Sequence, residues 1–155
     1  MHRFWDERYQ EEGVYGKKPN PFWVDQLSRL SPTAEHNRVL LPCEGEGRNA
    51  VWAAAQGWDV DAFDGSYVAV ATCQRWASEA GVEVHAVQSD ALAFEGRSGG
   101  YDVVGLFYAH MPAGMRAEFH QRAIDWLRPG GTLILEGFEP RQLGLASGGP
   151  KDPAM

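Results

Sequence analysis

The stretch Val39–Ala50, VLLPCEGEGRNA, decides how this chain is read. An apolar run ends at Pro42, and Glu44 and Glu46 then alternate with Gly45 and Gly47 ahead of a segment rich in helix formers. Strand, glycine turn and helix in that order open a βαβ unit. Glycines this close mark a backbone that approaches a ligand or takes conformations closed to other residues.

Working outward, strand-like and helix-like segments alternate. Residues 38–42 read as a strand and 47–56 as a helix stopped by Gly57. Residues 58–63 alternate like a strand, and 66–80 form a helix with Ser66 as N-cap and Gly81 as its stop. Strands follow at 82–87 and 101–108, the second a continuous apolar run as in a central parallel strand. The segment 113–127 places Met115, Phe119, Ala123 and either Trp126 or Leu127 on one helical stripe. Residues 128–131, RPGG, read as a turn before a last strand at 132–138. Four such alternations predict an α/β fold with a parallel, doubly wound sheet and right-handed crossovers. The whole chain, 1–155, reads as one domain: a helical N-terminal segment (1–30), a core (38–138) and an irregular tail (139–155).

Composition narrows the partners. The 155 residues are 44% hydrophobic and 23% charged, with a formal net charge of -7. That sign repels phosphate backbones, so nucleic acid is not expected as a partner. No apolar run nears the ~20 residues of a membrane span, and the N-terminus MHRFWDERYQEE is not a signal peptide. Cys43 and Cys73 form no CxxC, so a reduced, cytoplasmic setting is expected. The five histidines are scattered, and no metal site is expected.

Gly45-Glu46-Gly47-Arg48-Asn49-Ala50 fits the G-x-G-x-x-A dinucleotide fingerprint. A pyrophosphate needs backbone N–H groups and a positive helix end, and Glu44 would repel it. A ligand with an ammonium group, a sulfonium centre and no phosphate suits carboxylates instead. S-adenosylmethionine, with S-adenosylhomocysteine as product, is such a ligand. Glu44, tight against the strand end, is assigned to it, and Glu46 is expected as an exposed loop charge near the helix N-terminus. Asp64, 17 residues after Gly47, sits at the next strand's tip and either takes both ribose hydroxyls or caps the helix after Gly65-Ser66. Asp90, in QSDAL, either accepts from the adenine amino group or forms a turn.

VLLPCEGEGRNAVWAAAQGWDVDAFDGS, SDAL, YDVVGLFYAHMP and LRPGGTLILEGF, in this order and spacing, resemble class I S-adenosylmethionine-dependent methyltransferases. GEGRNA and WDERY…YG…PNPF look most like the branch of tellurite-resistance and thiopurine methyltransferase-like proteins. The resemblance covers nearly the whole chain. It implies a three-layer Rossmann-like sheet ordered 3-2-1-4-5. Carried over by position, it implies Gly45 and Gly47 at the cofactor's methionine part, Asp64 at the ribose, and Asp90 with Ala91 at the adenine; Glu44, Arg48, Asn49, Gly65 and Ser66 complete the candidate cofactor site. Phe107 and Tyr108 would flank the cofactor. Many members carry an acid at the position of Leu41 and glycine at that of Cys43. Members also normally continue past SGGPKDP with a helix and two antiparallel strands. From that follows the expectation of a shortened form, or of two copies meeting along the edge of the fifth strand.

Methyl transfer from a sulfonium is an in-line displacement in which the cofactor supplies the electrophile. Positioning alone can supply ~7–11 kcal/mol of the barrier, which suffices for a thiol or reduced chalcogen. An oxygen or nitrogen nucleophile would gain about 10²–10⁴-fold from a base. His110 and Tyr108, after the fourth strand, are the candidate catalytic residues, although the packing of His110 under the loop before Pro112 is the slightly favoured reading of that residue. FYAHMP lacks the Asn/Asp-Pro-Pro-aromatic pattern of amino-methylating DNA enzymes, so the expected acceptor is a small molecule. Trp5, Tyr9 and Tyr15 belong to an aromatic N-terminal segment expected to cover the cleft, an aromatic face within ~6 Å suiting a sulfonium. Two other classes stay open: a non-catalytic cofactor-binding or interaction protein, and a nicotinamide-dependent oxidoreductase.

Overall fold

The computed structural model describes residues 2–146 and 148–152. The chain opens with α1 (His2–Arg8) and α2 (Pro21–Ser28). Then follow β1 (Arg38–Pro42), α3 (Arg48–Ala55), β2 (Asp59–Asp64), α4 (Tyr67–Glu79) and β3 (His85–Gln88). β4 (Tyr101–Phe107), α5 (Ala113–Asp125), β5 (Leu127–Glu136) and a 3-10 turn (Pro140–Gln142) complete it. The strands form one parallel sheet, β3-β2-β1-β4-β5, the order that the resemblance implied.

Side chains alternate across a strand, and β1 shows where they go. Val39 and Leu41 enter a core with Trp23 and Leu27 of α2, Ala50 and Ala53 of α3, and Val70, Cys73 and Ala77 of α4. Leu40 faces the other way, with Phe63, Val104, Phe119, Ala123 and Trp126 around α5. The sheet is thus the middle of three layers. Asn20 starts α2: its side chain accepts from the N–H groups of Phe22 and Trp23, and Pro21 fills the first turn. Ser66 caps α4 as expected, accepting from Ala69 N.

Three expectations change. β3 begins at His85 rather than residue 82, because Val82 N still donates to Ala77 O at the end of α4. The β3–β4 crossover holds no helix. Phe94 in that segment stacks on Phe63 at 4.4 Å and lies 5.8 Å from Trp126, sealing the second core. RPGG is not a free turn: β5 starts at Leu127 opposite Tyr101, and a register shift between Tyr101 and Val103 absorbs the extra residues.

In the middle of β2, Asp61 is buried and accepts from Tyr101 Oη at 2.5 Å. Arg97 bonds both Asp61 and Asp59. Asp59, Asp61 and His85 place ligand-type atoms within 4.8 Å of one another, and the Arg97 guanidinium already bonds both acids. No helix among the described residues is long and apolar enough to cross a membrane.

Candidate cofactor site

The carboxyl ends of β1, β2 and β4 lie side by side, where an open α/β sheet presents its crevice. β1 leaves the sheet through Cys43, at φ 54°, a left-handed conformation that favours glycine. That backbone explains why glycine suits this position in the resembling family. Gly45 (φ 67°) and Gly47 (φ 94°) share the left-handed region.

The two glycines serve different neighbours. A Cβ on Gly45 would lie 2.6 Å from Tyr9 Oη, so this glycine faces the N-terminal cover. A Cβ on Gly47 would collide with Cys73 of α4, 2.9 Å from its Cβ. The absence of a side chain at Gly47 lets α3 pack on α4. Burial pushes the Cys73 thiol up to about 12, so it packs as a neutral group.

Asp64 is buried at the tip of β2, and its two oxygens accept from Gly45 N at 2.9 Å and Ser66 N at 2.9 Å. It joins the β1 and β2 loops, and an ionised carboxylate has about four acceptor sites. Gly65 O accepts from Gln88. Ser66 is buried, and its hydroxyl donates to Asp6 at 2.7 Å, so α1 is held against the loop. Asp90 is exposed at the turn after β3, its carbonyl accepting from Ala93 N and Phe94 N, with Ala91 half-buried.

The acids behave differently from expectation. Glu44 Oε1 accepts from Asn49 N at 2.7 Å and Ala50 N at 2.8 Å, occupying the N-terminus of α3 from outside the helix. Burial pushes its carboxyl up to about 7, against the pull of those two N–H groups. Glu46 is not an exposed charge: it is 5% exposed and accepts from Gly13 N at 2.8 Å. Arg48 donates to Tyr15 O at 3.2 Å, and Asn49 accepts from Asn20 N at 2.8 Å.

The N-terminal segment covers this loop through Tyr9, which is 7% exposed and flanked by Trp5 at 6.0 Å and Tyr15 at 6.2 Å. Burial, and then the charge of Asp64, raises the Tyr9 phenol, which stays a donor. Glu12 fastens the segment further, accepting from Trp76 Nε1 and Arg75 at 2.7 Å each.

At the end of β4, Phe107 turns into the core against Trp23 (5.3 Å) rather than flanking the cleft. Tyr108 stays outside, left-handed at φ 55°, with Phe138 at 4.9 Å. His110 Nε2 accepts from Phe138 N at 3.2 Å, so its free nitrogen is spent on a backbone latch rather than poised as a base. Burial, then Arg116, lowers its pKa. His110, Arg116 and Phe138 line a cavity of about 310 Å³, which the tail closes with Gln142 and Pro150.

Backbone amides of α3 that would hold a pyrophosphate are already taken by Glu44. A family model described as a methyltransferase domain matches residues 39–131, more than half of the chain, including the loop from Cys43 to Ala50, Asp64 and Tyr108. The chain belongs to the methyltransferase domain family. Its sheet is that of class I S-adenosylmethionine-dependent methyltransferases, and S-adenosylmethionine is the cofactor that these residues fit.

Relatives agree in kind. A thiopurine S-methyltransferase of Vibrio cholerae is 28% identical over 159 residues, covering 92% of this chain and 72% of its own. One from Acinetobacter baylyi is 32% identical over 72 residues, 45% of this chain and 33% of that protein. A solved S-adenosylmethionine-dependent methyltransferase from Geobacter sulfurreducens, in complex with S-adenosyl-L-homocysteine, superposes with a TM-score of 0.66 at 22% identity. That match covers 86% of this chain and 54% of the other. The chain thus spans between about a third and three quarters of these relatives' lengths.

Sequence reasoning passed over Tyr9 as one aromatic among several, and it missed Asn20 and Glu136. Asn20 donates from Nδ2 to Glu136 Oε2 at 2.6 Å. The Asn-Pro at 20–21 was a legible helix-start signal. Its tie to a residue 116 positions away was not.

Proposed function

We propose that this chain transfers a methyl group from S-adenosylmethionine to a small-molecule acceptor whose nucleophile is a thiol or a reduced chalcogen. One observation supports the cofactor end most: Glu44 on the amides of Asn49 and Ala50 closes the helix terminus to phosphate. The sulfur preference rests on the relatives named thiopurine S-methyltransferases and on the engaged nitrogen of His110. The bound cofactor supplies an electrophilic methyl group. Gly45 and Asp64 hold and orient, Tyr9 and Trp5 exclude water, and Tyr108 borders the acceptor. As a further part of this reading, the edge of β5, unpaired on its outer side among the described residues, meets a second copy.

Calorimetric titration with S-adenosylhomocysteine and with NADH tests the cofactor. Binding of the first alone is expected, and binding of NADH alone restores the oxidoreductase reading. Turnover of labelled cofactor with thiols, thiopurines, selenite and tellurite tests the acceptor. Tight cofactor binding without turnover on any of them leaves a binding protein. Light scattering that returns a 17.1 kDa monomer removes the second copy.

A further inference from the structure

The glycine loop and its N-terminal cover bring several carboxylates to one place. Glu44 and Glu46 stand on either side of Gly45 in the chain, and Asp6 reaches the start of α4 through Ser66. Their hydrogen-bond partners are uncharged: the amides of Asn49 and Ala50 for Glu44, Gly13 N for Glu46 and the Ser66 hydroxyl for Asp6. Among the described residues, none of these three carboxylates forms an ion pair. Burying a carboxylate without a positive partner is unfavourable, and burial raises the carboxyls of Glu44 and Glu46 in keeping with that.

Acidic residues alone do not specify a ligand, and Tyr9 adds a second, independent feature. It is 7% exposed, yet its hydroxyl makes no hydrogen bond among the described residues. A buried phenol ordinarily finds a partner. This one points at the loop: a Cβ on Gly45, between the two glutamates, would lie 2.6 Å from Tyr9 Oη. Trp5 stacks on the Tyr9 ring at 6.0 Å, and Tyr15 meets it edge-on at 6.2 Å. An ammonium needs acceptors for three N–H groups, and the carboxylates here already accept from the main chain and Ser66. A cation with no N–H to donate needs only negative potential, which oxygen lone pairs, aromatic faces and acids supply together. We propose that Tyr9 Oη and the Glu46 carboxylate make this site selective for charge on sulfur, so that it holds the sulfonium of S-adenosylmethionine in preference to the neutral thioether of S-adenosylhomocysteine. This rests on the methyl-transfer reading above and adds a means of product release. As the lone pair of an acceptor thiolate bonds the methyl carbon, the carbon–sulfur bond breaks and its electron pair stays on sulfur. The charge that Tyr9 and Glu46 attract is then gone.

The test is calorimetric titration of the wild type, Tyr9→Phe and Glu46→Gln with S-adenosylmethionine and with S-adenosylhomocysteine. Tyr9→Phe keeps the ring and removes the oxygen. Glu46→Gln keeps an acceptor for Gly13 N and removes the charge. The wild type is expected to bind the sulfonium about tenfold more tightly than the thioether. In each variant the affinity for the sulfonium falls by about three- to tenfold while that for the thioether changes by less than about twofold, so that the ratio approaches one. A general loosening of the cover weakens both ligands alike, so the ratio separates the charge effect from packing. A wild type that holds both ligands equally, or a ratio that neither variant moves, overturns the proposal and leaves Tyr9 as packing in the cover. Binding of neither ligand to the wild type overturns the methyl-transfer reading, and the selectivity falls with it.

Discussion

The ends of the neighbouring strands β1 and β4 each turn out of the sheet through a non-glycine residue in the left-handed region, Cys43 at φ 54° and Tyr108 at φ 55°. There the likeness stops. After Cys43 the loop is buried and held by carboxylates: Asp64 on Gly45 N, Glu44 on two α3 amides and Glu46 on Gly13 N. After Tyr108 the surface is open, and the fastenings are a ring contact, the Tyr108 N–H on Glu136 O and the His110 latch. On the proposed reading, the cofactor meets the charge-fastened end, and the acceptor meets the end built from exposed aromatics.

Four substitutions put that contrast at risk. The largest effect is expected for Asp64→Ala, which removes a buried charged acceptor from Gly45 and Ser66. At ~1.5–3 kcal/mol per charge-assisted bond, S-adenosylhomocysteine affinity drops at least tenfold, and a change under threefold in titration calorimetry leaves Asp64 as a loop tie only. Gly47→Ala comes next: the new Cβ meets Cys73, costing ~1–3 kcal/mol. A fall in Tm of ~2–4 °C per kcal/mol is expected, with affinity preserved in the folded fraction. Gly45→Ala adds left-handed strain of about 1–2 kcal/mol and pushes on Tyr9, so here affinity falls together with Tm. At the other strand end, Tyr108→Asn keeps a residue that tolerates left-handed backbone and shifts stability by under ~0.5 kcal/mol. A loss there as large as at Gly47 would erase the contrast.

The smallest effect is a slope. Glu44 titrates near 7 in the fold, raised from 4.5 by burial. A raised folded value means that its stabilising contribution is full below about 4.5 and is lost as pH rises towards 7. Glu44→Gln should flatten that part of the stability–pH curve in urea titrations. An identical slope would show that the carboxylate is fully compensated by the α3 amides.

Local signals carried the fold well. Apolar runs marked β1 and β4, Ser66 marked the start of α4, and the Asp64 spacing marked the tip of β2. What escaped was non-local. RPGG reads as a turn because glycine and proline are turn formers, yet pairing of Leu127 with Tyr101 draws it into β5. Glu46 reads as exposed because its partner, Gly13, lies 33 residues away. Gly47 matches a ligand fingerprint, but its neighbour is a cysteine on the next helix. Within the site, the strand-tip residues were legible from spacing alone. The link from Asn20 to Glu136 depends on how α2 settles on the sheet, and no local pattern encodes that.

The N-terminal cover has a consequence in time. Asp6 on Ser66, Gly13 on Glu46, Glu12 on Trp76 and Arg48 on Tyr15 O fasten it directly over Gly45. A ligand reaching that glycine has to wait for these fastenings to part together. The observed association rate should then stop rising with ligand concentration and level off at the opening rate of the segment, in the microsecond-to-millisecond range of such motions. Cutting one fastening, as in Asp6→Ala, raises that plateau while shortening the residence of whatever is held beneath.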